Sequence, residues 1–281
     1  MIEPVRMGEA LIREIEAVDP PRDGLAVWWT GQSGFLFKSA QGLLAVDLYL
    51  SEHLTRKYES TNRPHVRMTR SPLHGADLKS VDLLLASHKH SDHLDPGTAP
   101  DLLNASPSAM LVLPESIRDY AMSLGLPEDR MIPVDAGSEV RGAGFRIRAV
   151  PSAHEEFDRD ARGRHPYLGF IIESGSLRIY HSGDTLAYEG LAESLGNEGF
   201  DALFLPINGR NPSRGVAGNM SATEAVDLAR RVRPRYVVPH HYDMFTFNTV
   251  PAQEFEHQAR RLPSGVEPKV LQCGERWEIR P

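Results

Sequence analysis

The stretch Val81-Asp82-Leu83-Leu84-Leu85-Ala86-Ser87-His88-Lys89-His90-Ser91-Asp92-His93-Leu94 decides how this chain is read. Residues 81–86 form a short, almost wholly apolar run, as expected of a strand buried on both faces. The run passes without a break into His88, His90, Asp92 and His93. A strand that ends in a tight loop can aim alternate side chains into one cavity. Imidazole nitrogens and a carboxylate suit zinc, manganese or iron. Four such donors so close in sequence cannot all serve one tetrahedral ion, because near neighbours point different ways. Dividing them into His88 with His90 and Asp92 with His93 gives half-sites for two ions. The bland alternative is a solvated turn with chance histidines, and the buried strand just before it argues against that.

Two half-sites need more ligands, and three candidates stand just past other apolar runs. His154 follows residues 147–150. Asp184 lies in Tyr180-His181-Ser182-Gly183-Asp184-Thr185, where Gly183 lets the backbone approach closely. His241 follows Tyr236-Val237-Val238-Pro239. Taken singly each is weak: a strand-end histidine is more often a hydrogen-bonder, and an aspartate after Ser-Gly is more often a turn residue. Their joint order is the signal.

Around these residues the pattern is that of a layered α/β protein. Leu11, Ile12, Ile15 and Val18 predict a helix over 8–18, ended by Pro20 and Pro21. Runs at 26–29, 35–37 and 43–46 read as strands separated by glycine turns. Residues 50–80 are polar, basic and irregular and read as a long loop, which in a compact domain is often functional. Helices are expected near 97–104 and 115–124, with a strand at 110–113 between them. Strands are expected at 145–150, 167–173, 177–181, 201–206 and 235–239. Ser221-x-x-Glu224 is a capping box that starts a helix with an Ala222, Ala225, Val226, Ala229 stripe. A helix near 252–261 and a final strand pair close the chain. With no repeat, low-complexity tract or linker, residues 1–281 are expected to form one domain of two packed sheets with helices outside.

Bulk properties exclude several classes. The chain has 281 residues, 41% hydrophobic, enough for a large core. A formal net charge of −7 argues against a nucleic-acid surface, which needs a basic face, but not against a local basic pocket. Cys273 is the one cysteine, so neither a disulfide framework nor a cysteine zinc knuckle can form within the chain. Glu3, Arg6, Glu9, Arg13 and Glu14 interrupt any apolar leader, and no run approaches the ~18 apolar residues of a membrane span. The expectation is a cytoplasmic protein acting on a small molecule. A homo-oligomer is compatible with it.

The ordered set His-x-His-x-Asp-His, then a histidine, then Gly-Asp, then a last histidine resembles the metallo-β-lactamase superfamily. Within it the chain resembles the L-ascorbate-6-phosphate lactonase branch, through Val27-Trp28-Trp29-x-Gly-x-Ser-Gly, residues 88–94, residues 180–184, Asn208-Gly209-Arg210-Asn211-Pro212 and Val238-Pro239-His240-His241. The resemblance implies a four-layer αββα sandwich. It implies that His88, His90 and His154 bind one ion, that Asp92, His93 and His241 bind the other, and that Asp184 bridges them. His181 and His240 would then be supporting or core residues.

These assignments imply a hydrolase. Two divalent ions, zinc or manganese with iron as the alternative, can share a water about 3.5–4 Å ion to ion and make hydroxide near neutral pH. Asp92 would orient that hydroxide and pass its proton to the leaving group. Trp29, Gln32, Lys89, Asn208, Arg210 and Arg214 are the candidates for touching substrate. In a strand, one of Trp28 and Trp29 should face the core and the other should not. Arg210 would fork onto a phosphate or carboxylate. The expected substrate is a small anionic lactone or ester. The alternatives are a phosphodiesterase of lipids or nucleotides, an iron-dependent oxidoreductase, and a scaffold retaining the site. The di-iron flavoprotein branch carries a carboxylate where this chain has His90.

Overall fold

Strand β1 (Leu25–Gly31) carries the layering of the molecule in its own side chains. Val27 and Trp29 belong to one buried cluster and Ala26 and Trp28 to another, because successive side chains of a strand point to opposite faces. Every residue of the strand is buried, so both faces of its sheet are covered. The expectation that only one of the two tryptophans would lie inside is thereby corrected. Trp28 packs with Leu11 and Ile15 of α1 (Gly8–Ala17), its indole donating to Glu14 Oε1 at 2.9 Å, and Trp29 faces the opposite sheet. Truncating a fully buried indole such as Trp28 to alanine costs about 3–5 kcal/mol.

The structure is a computed structural model that describes residues 1–196 and 199–281, and these form two seven-stranded sheets. In the first, β14 (Arg276–Ile279), β1, β2 (Gly34–Ser39) and β3 (Gly42–Val46) run antiparallel. The sheet continues in parallel through β4 (Leu83–Leu85), β5 (Met110–Pro114) and β6 (Met131–Val134). The second repeats that plan. Strands β7 (Glu139–Gly142), β8 (Phe145–Pro151), β9 (Leu168–Ser174) and β10 (Leu177–His181) are antiparallel. Strands β11 (Ala202–Pro206), β12 (Tyr236–His240) and β13 (Glu267–Pro268) follow β10 in parallel.

Parallel neighbours require crossovers, and the helices occupy them. Helix α2 (His53–Tyr58) lies between β3 and β4, α3 (Ala99–Ala105) between β4 and β5, and α4 (Arg118–Ser123) between β5 and β6. In the second half, α5 (Leu191–Leu195), α6 (Ala222–Val232) and α7 (Ala252–Ala259) play the same part. Leu83 and Leu85 meet Phe170 and Ile172 in the core between the sheets, and Leu84 turns outward to the layer of Leu102 and Leu103. The result is the αββα sandwich that the resemblance implied. The capping box also forms: Ser221 Oγ accepts from Glu224 N, and Glu224 Oε2 accepts from Ser221 N at 2.9 Å. Among the described residues no helix is long and apolar enough to cross a membrane.

Three local expectations are corrected. Residues 50–80 are not one loop, since they contain α2 and a 3-10 turn at Gly75–Asp77. Strands β6 and β7 were not foreseen; they are only four residues each. The last two strands do not pair with each other: β13 joins the second sheet, and β14 returns to β1 of the first.

Candidate metal centre

Every candidate ligand stands just beyond the end of a strand. After β4 the backbone folds into one tight turn, with the amides of His93 and Leu94 both donating to the His90 carbonyl at 2.9 Å. This turn lets neighbouring side chains point into separate pockets. His154 follows β8, Asp184 follows β10, and His241 follows β12 directly. Gly183 holds φ at +58°, and a Cβ there would lie 2.6 Å from the Ser87 Cβ, so only glycine lets the β4 and β10 ends meet. Gln32, Asp47, Glu155, His241 and Asp243, none of them glycine, also hold positive φ. Such conformations cost about 1–3 kcal/mol each and gather at functional sites.

The donor atoms converge in two groups. Those of His88, His90 and His154 lie within 4.8 Å of one another, and so do those of Asp92, His93 and His241. Asp184 reaches both. Its Oδ1 is 3.3 Å from His93 Nε2, and its Oδ2 is 3.3 Å from His241 Nε2 and 3.7 Å from His154 Nε2. His181 and His240 stay outside these groups; their rings stack at 5.0 Å, and both bond to Ser33.

Buried partners fix the rings from behind. His93 Nδ1 lies 2.7 Å from Asp47 Oδ2, to which Ser87 Oγ also donates at 2.6 Å. Ser87 Oγ is in turn 2.9 Å from His88 Nδ1, so one carboxylate braces a histidine of each group. His154 Nδ1 meets the Gly218 carbonyl at 3.0 Å. Such partners leave each Nε2 aimed at the centre. Asp47 was missed by the sequence reading, although it follows β3 directly and carries the same strand-end signature as the ligands.

The arrangement fits an ion at each group. Nε2 of His88, Nε2 of His93 and Oδ1 of Asp184 are buried without a hydrogen-bond partner. Leaving a buried polar atom unpaired costs about 1–3 kcal/mol, and an ion removes that cost for several atoms at once. Burial, reinforced by the neighbouring histidines, holds His88 well below the ordinary histidine range, and burial with His154 takes His90 down to about 4. Their ring nitrogens are therefore free to coordinate. Burial opposes charge on His93, but Asp184, Asp47 and Asp92 outweigh it and raise the group well above its usual range. Burial would raise Asp184, yet His93 and His241 hold it well below the carboxylate range.

Above the donors opens a cavity of about 440 Å³. Its floor is His90, Asp92, His154, Asp184 and His241, and its rim includes Leu54, Lys57, Tyr58, His65, Lys89, Tyr120, Val216, Ala217, Phe245 and Asn248. Tyr58 stacks on His65 at 4.1 Å, and Phe245 meets His65 edge-on at 5.1 Å. Burial lowers His65, so this wall is neutral and aromatic near pH 7.

Of the residues expected to touch substrate, only Lys89 lines this cavity. Trp29 is buried and stacks on Tyr242 at 4.4 Å. Gln32 is fully buried, against Asp92 and His241. Asn208 is also buried and donates to Asn248 Oδ1, while Arg214 donates to the Asn208 carbonyl and to Asn248. These two hold the rim residue Asn248. Arg210 pairs with Glu224, the capping-box carboxylate of α6, and is not among the residues lining the cavity.

Known proteins share this frame. Residues 60–242 match the family described as Beta-lactamase superfamily domain. The protein described as "Probable L-ascorbate-6-phosphate lactonase UlaG" from Salmonella gallinarum is 25% identical over 307 residues, spanning 96% of this chain and 85% of that one. Igni18, a metallo hydrolase from Ignicoccus hospitalis, is similar with a TM-score of 0.66 at 20% identity, over 92% of this chain and 99% of its own. CmlA, a diiron β-hydroxylase from Streptomyces venezuelae, is similar with a TM-score of 0.67 at 15% identity, over 94% of this chain and 55% of its own. The two structural likenesses concern the fold, which carries hydrolytic and oxidative centres alike.

Proposed function

Because this chain belongs to the metallo-β-lactamase superfamily of metal-dependent hydrolases, we propose that it hydrolyses a small anionic lactone or ester. His88, His90 and His154 would hold one divalent ion, Asp92, His93 and His241 a second, and Asp184 would touch both, with zinc or manganese as the ions. Ions bound there would supply Lewis acidity and bring the ionisation of water toward neutral pH.

The remaining work falls to the chain's own groups. Asp92 is the partly exposed carboxylate on the cavity floor, in position to accept a proton and return it to the leaving oxygen. Lys57 and Lys89 are exposed on the rim, and neither is ion-paired among the described residues, so both can meet an anionic group. The Tyr58, His65 and Phe245 wall packs against the apolar part of the substrate and keeps bulk water out. Residues 1–281 are read as one functional domain, since β4, β8, β10 and β12 come from both sheets and all supply donors.

The observation that carries this reading is an open cavity with His and Asp donors on its floor and, on its rim, two lysines with no ion-pair partner among the described residues. A cavity of this size admits a metabolite. Likeness to a probable lactonase over nearly the whole chain favours a lactone over a phosphodiester. The test is a panel of phosphorylated lactones, neutral lactones, esters and phosphodiesters, run on protein loaded with zinc, manganese or iron. Fastest turnover is expected on an anionic lactone. Fastest turnover on a phosphodiester, or oxygen uptake by the iron form without hydrolysis, would overturn the lactonase reading.

A further inference from the structure

The side chain of Gln32 belongs to the metal centre, and we propose that its carboxamide oxygen is a further ligand of the ion held by Asp92, His93 and His241. The inference rests on the two-ion reading above. Gln32 sits in the turn between β1 and β2 and is fully buried. Its φ of +51° is a conformation that L side chains rarely adopt. Two hydrogen bonds lock it there: the Gln32 carbonyl accepts from Trp29 Nε1 at 3.1 Å and from the His241 amide at 2.9 Å. The second bond ties the turn directly to a ligand of the centre.

The end of the side chain reaches two donor atoms at once, with Nε2 2.8 Å from Asp92 Oδ2 and 3.0 Å from His241 Nε2. An amino group in that position competes with an ion for the His241 lone pair. In the same orientation Gln32 Oε1 is buried without a hydrogen-bond partner. The two ends of a carboxamide have nearly the same shape, and their order follows the surrounding network, which an ion would change. Turned over, the oxygen occupies the position facing Asp92 and His241. Donors at right angles on an ion with bonds of about 2.1 Å stand about 3.0 Å apart, so the 2.8 and 3.0 Å separations are those of neighbouring ligands.

The consequence is an unequal pair of sites. The group of Asp92, His93, His241, Asp184 and Gln32 offers three oxygens and two nitrogens, whereas His88, His90, His154 and Asp184 offer three nitrogens and one oxygen. Oxygen donors suit manganese better than zinc, so the Gln32 side should prefer manganese and the other side zinc.

The test titrates metal-stripped protein with manganese alone, counting free ion by its magnetic resonance signal, with thermal melting to verify folding. Gln32→Ala should weaken the manganese-preferring site by roughly ten-fold or more. Gln32→Glu should bind at least as tightly as the wild type, because a carboxylate oxygen takes the same place. Unchanged binding in Gln32→Ala overturns the proposal. So does a loss in Gln32→Glu equal to that in Gln32→Ala, since a side chain that only donates to Asp92 would be repelled as a carboxylate. Should the variants fail to fold, a manganese-loaded crystal of the wild type decides: Oε1 within about 2.4 Å of the ion supports the proposal, and beyond about 3 Å overturns it. A wild type that takes up no ion overturns the two-ion reading and this inference together. Two ions with a distant Oε1 overturn this inference alone.

Discussion

The floor of the cleft and its rim are built by different physics. On the floor each donor follows a strand end and lies buried or nearly so, and His88, His93 and His154 are braced by a second buried group. The rim comes from a six-residue helix, α2, from Tyr120 of α4, from Lys89 in the donor turn, and from loops around residues 65, 216–217 and 245–248. Its lysines are exposed, and its aromatic rings rest mainly on one another. The floor is over-determined and sets the chemistry. The rim mixes exposed lysines with Leu54 and Phe245, which are anchored in a small buried cluster with Tyr49 and Met244, so its exposed members are the ones able to set selectivity without disturbing what lies beneath.

The largest effect expected is at the residue shared by both halves of the floor. Asp184→Asn keeps the shape but removes the charge that faces His93 and His241. Hydrolysis should fall by a hundred-fold or more, roughly the upper end of losses seen even for outer groups, and metal content should drop toward one ion per chain. Melting should remain cooperative. Full metal content together with full rate would sink the bridging role.

Behind the floor, Asp47→Ala tests whether one carboxylate braces both groups. It contacts His93 directly and His88 through Ser87. Affinity at both sites should fall about 10–100-fold, as read by titration with a competing chelator. Weakening at one site only would break the shared brace, leaving two independent halves.

The rim should respond in another quantity. Lys57→Ala or Lys89→Ala should raise KM for an anionic lactone about ten-fold, or about 1.4 kcal/mol, with metal content unchanged. The matching neutral lactone should be nearly unaffected. Arg210→Ala supplies the contrast: held by Glu224 outside the cavity, it should leave both KM values alone. Equal losses on the charged and neutral substrates would erase the proposed division between floor and rim.

The smallest effect separates the cleft from the frame. Burial would raise Glu173, but hydrogen bonds from Arg178 and Arg146 hold it below the usual glutamate range. A carboxyl depressed in the folded state adds stability above its unfolded value of about 4.3, and loses it as pH falls through the folded value. Glu173→Gln should therefore lower the melting temperature at pH 7, by an amount worth less than about 1 kcal/mol for such partly exposed pairs. The difference should vanish in acid below the folded value. A gap that persisted there would mean that packing, not charge, is lost.

The same division explains what the sequence disclosed. The candidate donors were legible because the signal is local: an apolar strand runs straight into a donor, as at residues 83–93. The capping box at Ser221 was legible for the same reason. Rim residues were not, because Lys57, His65, Ala217 and Phe245 are far apart in the chain and share no period. The partner of Arg210 was not legible, because nothing in the order of residues says that Glu224, fourteen positions on, would pair with it. Gln32 and Trp29 lie near the site, but their burial and their hydrogen bonds to each other and to Asp92 were not legible from the order of residues. The last strands show another limit: local pattern gives a strand, and only the packed sheets decide which one it joins.

The central claim is that the floor holds two ions with Asp184 between them. Elemental analysis of protein reconstituted with zinc or manganese, followed by anomalous diffraction at the metal edge, tests it most directly. The account predicts two ions per chain, one among His88, His90 and His154 and the other among Asp92, His93 and His241, each within reach of Asp184. No ion after reconstitution, or ions bound away from these residues, would contradict it.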